Sequence, residues 1–306
     1  MTNVQCAEGA ALARAALAGN PSDGYGGAVL AVTLPAWCAR AEVVPAPEPE
    51  ITPANPLVEA TVRRFARELE PAGLETAVRW STSIPQRVGL GSSSALVIAV
   101  VRAQCELHDV ALEPDQLAAF ALAVETEDLG IVAGLQDRVA QAYEGLTFMD
   151  FGTRSNGSGL HGTYEQLDPA LLPPLLIAWR SEAAGHSGEI HSSLKARHQI
   201  GEPLVAETMA SLAASAREAR AALLEGDLKR FGECVDRTFD LRRRLVPLDP
   251  LCTEMIEVAR SCGASANYTG SGGAIAAVCP GERGLDAVAD ALDAIGCGVL
   301  RASATQ

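Results

Sequence analysis

Long apolar runs are missing from this chain. No stretch of about 18 uncharged apolar residues occurs in it, which excludes a membrane-spanning helix. The N-terminus has no basic segment leading into a long apolar one, so no secretory signal is expected. Metal-ligand spacing is missing too. None of the eight cysteines (Cys6, Cys38, Cys105, Cys234, Cys252, Cys262, Cys279 and Cys297) forms a C-x-x-C pair, which excludes a zinc ribbon or a thioredoxin-like motif. The five histidines show no ligand spacing either. The cysteines are therefore predicted to be reduced, mostly buried thiols of a cytoplasmic protein. A Walker A loop, G-x-x-x-x-G-K-[ST], is absent. Positive charge is scarce: 24 Lys and Arg stand against 38 Asp and Glu, a net charge of −14. That balance argues against nucleic acid as a partner, yet a locally positive site for an anionic substrate stays open. No internal repeat is found, and no low-complexity tract beyond alanine richness.

What is present is an ordinary globular composition, 48% hydrophobic and 20% charged over 306 residues. That length fits one large domain or two lobes. Residues 10–18 are small and apolar and read as a strand. The cluster Gly19 to Gly27 reads as a loop, and Ala28 to Leu34 as a buried strand. Val44 to Pro56 carries five prolines and reads as an irregular connection. Helical periodicity covers residues 55–69, and residues 76–84 alternate like a strand. Helices are predicted over 115–129, 134–144, 204–224, 228–245 and 284–295. Strands are predicted over 146–151, 175–179, 276–279 and 298–302. The Gly-rich stretch 156–162 is the expected lobe boundary, dividing the chain into 1–160 and 161–306.

Three motifs carry chemistry. In Gly89-Leu90-Gly91-Ser92-Ser93-Ser94-Ala95 a glycine-serine loop opens directly into a long apolar helix. The unpaired first-turn N–H groups and the helix dipole there make a phosphate-binding arrangement. The plainer alternative is an N-capped helix behind a serine linker. The second motif is Glu125 with Asp137, twelve residues apart, with Gly130 and Gly134 between them. Asp137 lies at an apolar helix start. Beside a phosphate loop, such a pair can supply a metal-ligand carboxylate and a base for an acceptor hydroxyl. The third is Thr269-Gly270-Ser271-Gly272-Gly273 before an apolar strand, either a turn or a place of close approach to a ligand.

Together these motifs resemble those of the galactokinase, homoserine kinase, mevalonate kinase and phosphomevalonate kinase superfamily, the GHMP kinases. The family loop P-x-x-x-G-L-G-S-S-A is met by Pro85 to Ala95, with Ser94 where the family usually has alanine. Galactokinases carry Gly-Glu-His at the turn where this chain has Gly19-Asn20-Pro21. Within the superfamily the chain resembles glucuronokinases in particular. The matching stretches are Gly19 to Asp23, Leu129 to Gln141, Met149 to Phe151, Ser187 to Ser193, Phe239 to Arg243 and Thr269 to Ala274.

The resemblance implies a two-lobed α+β GHMP kinase fold. The N-terminal lobe would be like ribosomal protein S5 domain 2, and the C-terminal lobe ferredoxin-like. It implies ATP and Mg2+ as cofactors, with the phosphates over Gly89, Leu90, Gly91, Ser92, Ser93 and Ser94. Ser93 and Glu125 would bind magnesium, and Asp137 would act on the acceptor hydroxyl with Arg14 beside it. The acceptor would be a sugar or sugar acid, D-glucuronate first, touched by Asn20, Asp23, Thr269, Gly270, Ser271 and Gly272. A neutral sugar, a heptose phosphate or mevalonate is the alternative acceptor, and a non-catalytic sensor the alternative class. A uronate carboxylate needs a partner suited to bidentate recognition, and Arg138, Arg197, Arg242 and Arg243 are the candidates.

Overall fold

The computed structural model describes residues 6–69, 75–152, 162–183 and 187–302, the side chains of 187–192 excepted. Two strands form the spine of the first half. β1 (Ala7–Ala18) runs antiparallel to β2 (Ala28–Pro45), and the loop between them carries a short 3-10 turn, Ser22–Tyr25. The first part of β2 pairs with β5, and its last part with β4.

Around this spine the chain continues as β3 (Glu50–Thr52), α1 (Pro56–Glu68), β4 (Thr76–Thr82), α2 (Ser92–His108), α3 (Pro114–Ala123), α4 (Gln136–Tyr143), β5 (Leu146–Asp150) and β6 (Thr163–Leu167). The first sheet has the order β3-β4-β2-β5-β6, with β1 on β2. The second half adds β7 (Leu175–Trp179), α5 (Ser187–Gln199), α6 (Pro203–Glu225), α7 (Leu228–Arg242), α8 (Pro250–Ser261), β8 (Ser265–Tyr268), β9 (Ala274–Val278), α9 (Glu282–Ala294) and β10 (Gly298–Ala302). Its antiparallel sheet has the order β10-β7-β9-β8.

Strand alternation explains how the halves join. On β7, Leu175 and Ile177 enter the core shared with the first sheet, α2 and α6, whereas Leu176 and Ala178 face a second core under α8 and α9. The second sheet is thus buried on both faces. β6 lies past residue 160 but pairs with β5, so the division between the two sheets falls between β6 and β7. Most of the stretch 156–162 lies outside the described residues.

Other departures from the sequence reading have local causes. The proline-rich stretch is not wholly irregular: β2 runs to Pro45, and Glu50–Thr52 pairs parallel with β4. Proline is tolerated there because these are a strand end and a sheet edge. The helix expected over 115–129 ends as an α-helix at Ala123, and Val124–Asp128 forms a π-helical turn. α8 carries a start signal that periodicity missed: Pro250 at its first turn behind Asp249, whose side chain accepts from Leu251 N at 2.8 Å. No described helix is long and apolar enough to cross a membrane. All eight cysteines are free.

Candidate functional site

The glycine-serine loop behaves as its composition predicts. Gly89 (φ 76°) and Gly91 (φ 73°) are left-handed, and Gly91 is the residue from which α2 starts. A side chain at either position would be strained. At Gly89 a Cβ would also lie 2.9 Å from Ser271 N. The loop therefore needs glycine both to turn and to admit the third motif against it. Ser92 and Ser93 stand at the dipole-positive start of the 17-residue α2. Ser94 does not share that position. It is buried and donates to Gln141 Oε1 at 2.6 Å, and Gln141 Nε2 donates to Leu12 O and Gly91 O, each at 2.8 Å. Its hydroxyl ties the loop to β1 and α4, and Ser94 does not line the cavity described below.

Arg14 joins all three motifs. It leaves β1 with its side chain 3% exposed. Its Nε donates to Asp137 Oδ1 at 2.8 Å, its Nη2 lies 2.7 Å from the same oxygen, and its Nη1 donates to Gly89 O at 2.7 Å and to Thr269 O. Thr269 Oγ1 donates to Gly89 O at 2.9 Å, closing the group. Asp137 sits in the first turn of α4, where the helix dipole favours a carboxylate.

Glu125 is 1% exposed, because the π-helical turn directs it inward while Glu127 and Asp128 pair with Arg64. A single π turn shifts the phase of a helix and is frequent at functional sites. Glu125 Oε1 accepts from Ser93 Oγ at 2.9 Å. Oε2 accepts Arg138 Nε at 2.7 Å and also Arg138 Nη2. Burial alone lowers the Arg138 guanidinium, but Glu125, Asp137 and Asp23 outweigh it and raise it above its usual value.

Asp23 is buried on the 3-10 turn after β1, and Gln136 N donates to its Oδ2 at 3.4 Å. Burial pushes its carboxyl from the ordinary 3.8 up to about 6, with the charge of Asp137 adding to the rise. The native state therefore holds this proton more tightly than the unfolded chain, so stability falls as pH climbs from about 4 to about 6 and is level above. The effect amounts to roughly 3 kcal/mol. Urea titrations of wild type and Asp23→Asn between pH 4 and 7 should show the variant gaining on the wild type across that interval. A constant difference between the two would count against the raised value.

These groups surround a cavity of about 300 Å³. Of the residues expected at the site, Arg14, Asn20, Asp23, Gly89 to Ser93, Glu125, Asp137, Arg138, Arg242, Gly270 and Ser271 line it. Asn20 is also structural: its Nδ2 donates to Tyr268 O at 3.2 Å, and its Oδ1 accepts Asn267 Nδ2 at 3.0 Å. Thr269 is fully buried behind the wall, and Gly272 does not line the cavity. Arg197 is not brought in. Its guanidinium is taken up by Glu202 at 2.7 and 2.8 Å and by Leu245 O at 2.7 Å. Arg243 is exposed, with its guanidinium 6.0 Å from the Phe239 ring.

Sequence reasoning missed Tyr25, Arg87, Gln136 and Lys195, all in the cavity wall. Arg87 precedes the loop and has φ 63°, an outlier no sequence pattern announces. Lys195 comes from α5, which was not predicted as a helix. Leu194 buries its base against α6 and α7, and His198 packs edge-on to Tyr25 at 4.7 Å.

The description "GHMP kinases N terminal domain" fits residues 56–145, and "GHMP kinases C terminal" fits residues 219–296. Glucuronokinase 1 of Arabidopsis thaliana is 33% identical over 303 residues, 88% of this chain and 83% of that one. The fold matches phosphomevalonate kinase of Streptococcus pneumoniae at a TM-score of 0.79, with 19% identity over 96% of this chain and 98% of that one. It matches galactokinase of Lactococcus lactis at 0.81, with 15% identity over 98% of this chain and 93% of that one.

Proposed function

The chain belongs to the GHMP kinase family, and on that premise we propose that it is an ATP-dependent sugar 1-kinase. It transfers the γ-phosphoryl group to the anomeric hydroxyl of D-glucuronate, giving the sugar 1-phosphate and ADP. The observation that carries the chemistry is the convergence on one cavity of the loop, the Ser93–Glu125 pair and an Asp137 held by Arg14. The choice of glucuronate rests on the chain-long likeness to the plant glucuronokinase.

Phosphoryl transfer asks the protein mainly for positioning and for neutralisation of charge. The backbone N–H groups of Gly89 to Ser93, at the start of α2, suit the phosphates of ATP. The donor set also suits magnesium. Ser93 Oγ and Glu125 Oε1 are hard oxygens 2.9 Å apart beside that loop, and Mg2+ is commonly held by one or two protein oxygens, with phosphates and water completing the shell. Among the described residues no group of three or more His, Cys, Asp or Glu could hold a metal by itself. A magnesium ion, when bound, offsets the phosphate charge.

Arg138 fixes Glu125 through Oε2 and leaves Oε1 toward Ser93. Arg14 fixes Asp137 through Oδ1, so the carboxylate is presented to the cavity in one orientation. Asp137 accepts the proton of the anomeric hydroxyl as the O–P bond forms. That hydroxyl is more acidic than an ordinary alcohol, so the demand on the base is modest. Asp23 and Asn20 line the same space and suit the remaining hydroxyls. ATP and a free sugar acid are substrates of the cytoplasm, where we place the enzyme.

ADP release with ATP and Mg2+ across D-glucuronate, D-galacturonate, D-galactose, D-glucose, L-arabinose and mevalonate tests this reading. The highest kcat/KM should fall on D-glucuronate. A higher value on a neutral sugar or on mevalonate would keep the kinase and overturn the acceptor.

A further inference from the structure

Three of the arginines in or near the site have their guanidinium groups filled by the protein. Arg14 is taken up by Asp137, Gly89 O and Thr269 O, and Arg138 by Glu125 and Gly134 O. Arg197, on α5, is taken up by Glu202 and Leu245 O. Arg242, at the end of α7, is different. It is 4% exposed, and its guanidinium lies 5.0 Å from the Tyr268 ring. Its one hydrogen bond to a described residue is Nη1 to Gly270 O, at 2.6 Å. No carboxylate among the described residues pairs with it, although it lines the cavity. Burial pulls this guanidinium below its usual value and outweighs Tyr268, Cys252 and Asp23, which act to raise it, while the charge of Arg14 works with burial.

A cation withdrawn from water without an anionic partner is costly, and proteins ordinarily pair such a group. Among the described residues no side chain supplies the missing partner, and the cavity that Arg242 lines is open to one from a ligand. The bond from Nη1 to Gly270 O orients the guanidinium, while Nε and Nη2 make no hydrogen bond to a described residue. That side of the group is the fork that matches a planar carboxylate. Lys195 lines the same cavity, is exposed, and has no carboxylate partner among the described residues.

We propose that Arg242 holds the carboxylate of the sugar acid, with Lys195 as a second cation of the same subsite, and that this pair sets the preference for an acid sugar over a neutral one. The proposal rests on the uronate reading above.

The test compares D-glucuronate with D-glucuronamide, its neutral near-isostere, in wild type, Arg242→Gln, Arg242→Lys and Lys195→Gln. Arg242→Gln should raise the KM for D-glucuronate by about 30-fold or more, the scale for truncating one partner of a buried charge pair. Its KM for D-glucuronamide and for ATP should change by less than about threefold, the scale of exposed contacts. Arg242→Lys keeps the charge and loses the fork, and should fall about tenfold short of wild type on glucuronate. Lys195→Gln should cost about threefold on glucuronate alone. Thermal melting checks the fold of each variant, and should Arg242→Gln not fold, the lysine variants decide.

Equal losses on acid and amide would make Arg242 a structural residue and overturn the inference, leaving the kinase intact. A wild type that turns over neutral sugars and no uronate would overturn both this inference and the acceptor proposed above.

Discussion

Asp137→Asn should lower kcat by about 10³-fold with ATP binding and the fold retained. Asparagine is nearly isosteric, and its Oδ1 can still accept from Arg14 Nε, where the aspartate bond is 2.8 Å. What the substitution removes is the negative charge and the capacity to take a proton. The loss should therefore appear in kcat, with the KM for ATP little changed, because the proposed site for the nucleotide phosphates is the loop and not α4. A modest loss of stability, about 1–3 kcal/mol, should follow from depriving buried Arg14 of the carboxylate that pairs with it among the described residues. The Asp23 carboxyl should also move down, since Asp137 is one cause of its rise. Rates of ADP release, calorimetric ATP binding and a melting curve together make the check. Near-wild-type kcat in a folded variant would remove Asp137 from the chemistry.

The second large effect is expected of Arg14→Met, which should cost both stability and turnover. Its guanidinium is the one group that touches β1's neighbours in all three motifs: Gly89, Asp137 and Thr269. The two carbonyls are not orphaned when it goes. Gly89 O still accepts from Thr269 Oγ1 at 2.9 Å, and Thr269 O from Ala16 N at 2.9 Å. The charge is the main casualty. Asp137 would keep Arg138 Nη1 at 3.7 Å, a much weaker ion pair. The carboxylate left behind is 20% exposed, so losing the pair should cost about 1–3 kcal/mol, and at this chain length that is roughly 2–6 °C in Tm. We expect kcat to fall by about 10²-fold or more because Asp137 is no longer held in one orientation. Arg14→Lys should recover part of the stability and little of the rate, since an ammonium cannot reach three acceptors from one plane. In the double variant Arg14→Met/Asp137→Asn the rate should scarcely drop below that of Asp137→Asn alone, because positioning has no value once the base is gone. Fully additive losses would show that Arg14 acts on the reaction independently of Asp137.

Both predictions depend on contacts between residues far apart in the chain, of which the family resemblance implied Arg14 beside Asp137 and local periodicity implied none. The helix over 55–69 was legible because Asn55, Pro56 and an apolar face are contiguous, and α1 starts there with Asn55 accepting from Leu57 N at 2.9 Å. The strand at 146–151 and the final helix and strand were legible for the same reason. α5 and β6 were not, since their apolar residues are few and their places are set by packing: Leu194 of α5 under α6 and α7, β6 against β5. The π-helical turn was invisible, because Val-Glu-Thr-Glu-Asp carries no sign of which acid turns inward.

The site divides in the same way. The residue types and order of the loop, its two left-handed glycines and the presence of Ser93, Glu125 and Asp137 follow from the sequence, because a turn and a helix start are fixed by neighbours within a few residues. The family resemblance had implied Arg14 beside Asp137, a separation of 123 residues. Tertiary structure alone decided the other partners: it gave Arg138 to Glu125, turned Ser94 toward Gln141, took Arg197 away to Glu202 and left Arg242 in the cavity wall. An arginine's role is set by which acceptors lie within about 3 Å of its nitrogens, and only the packing of two sheets around a common core brings such acceptors together from distant parts of the chain.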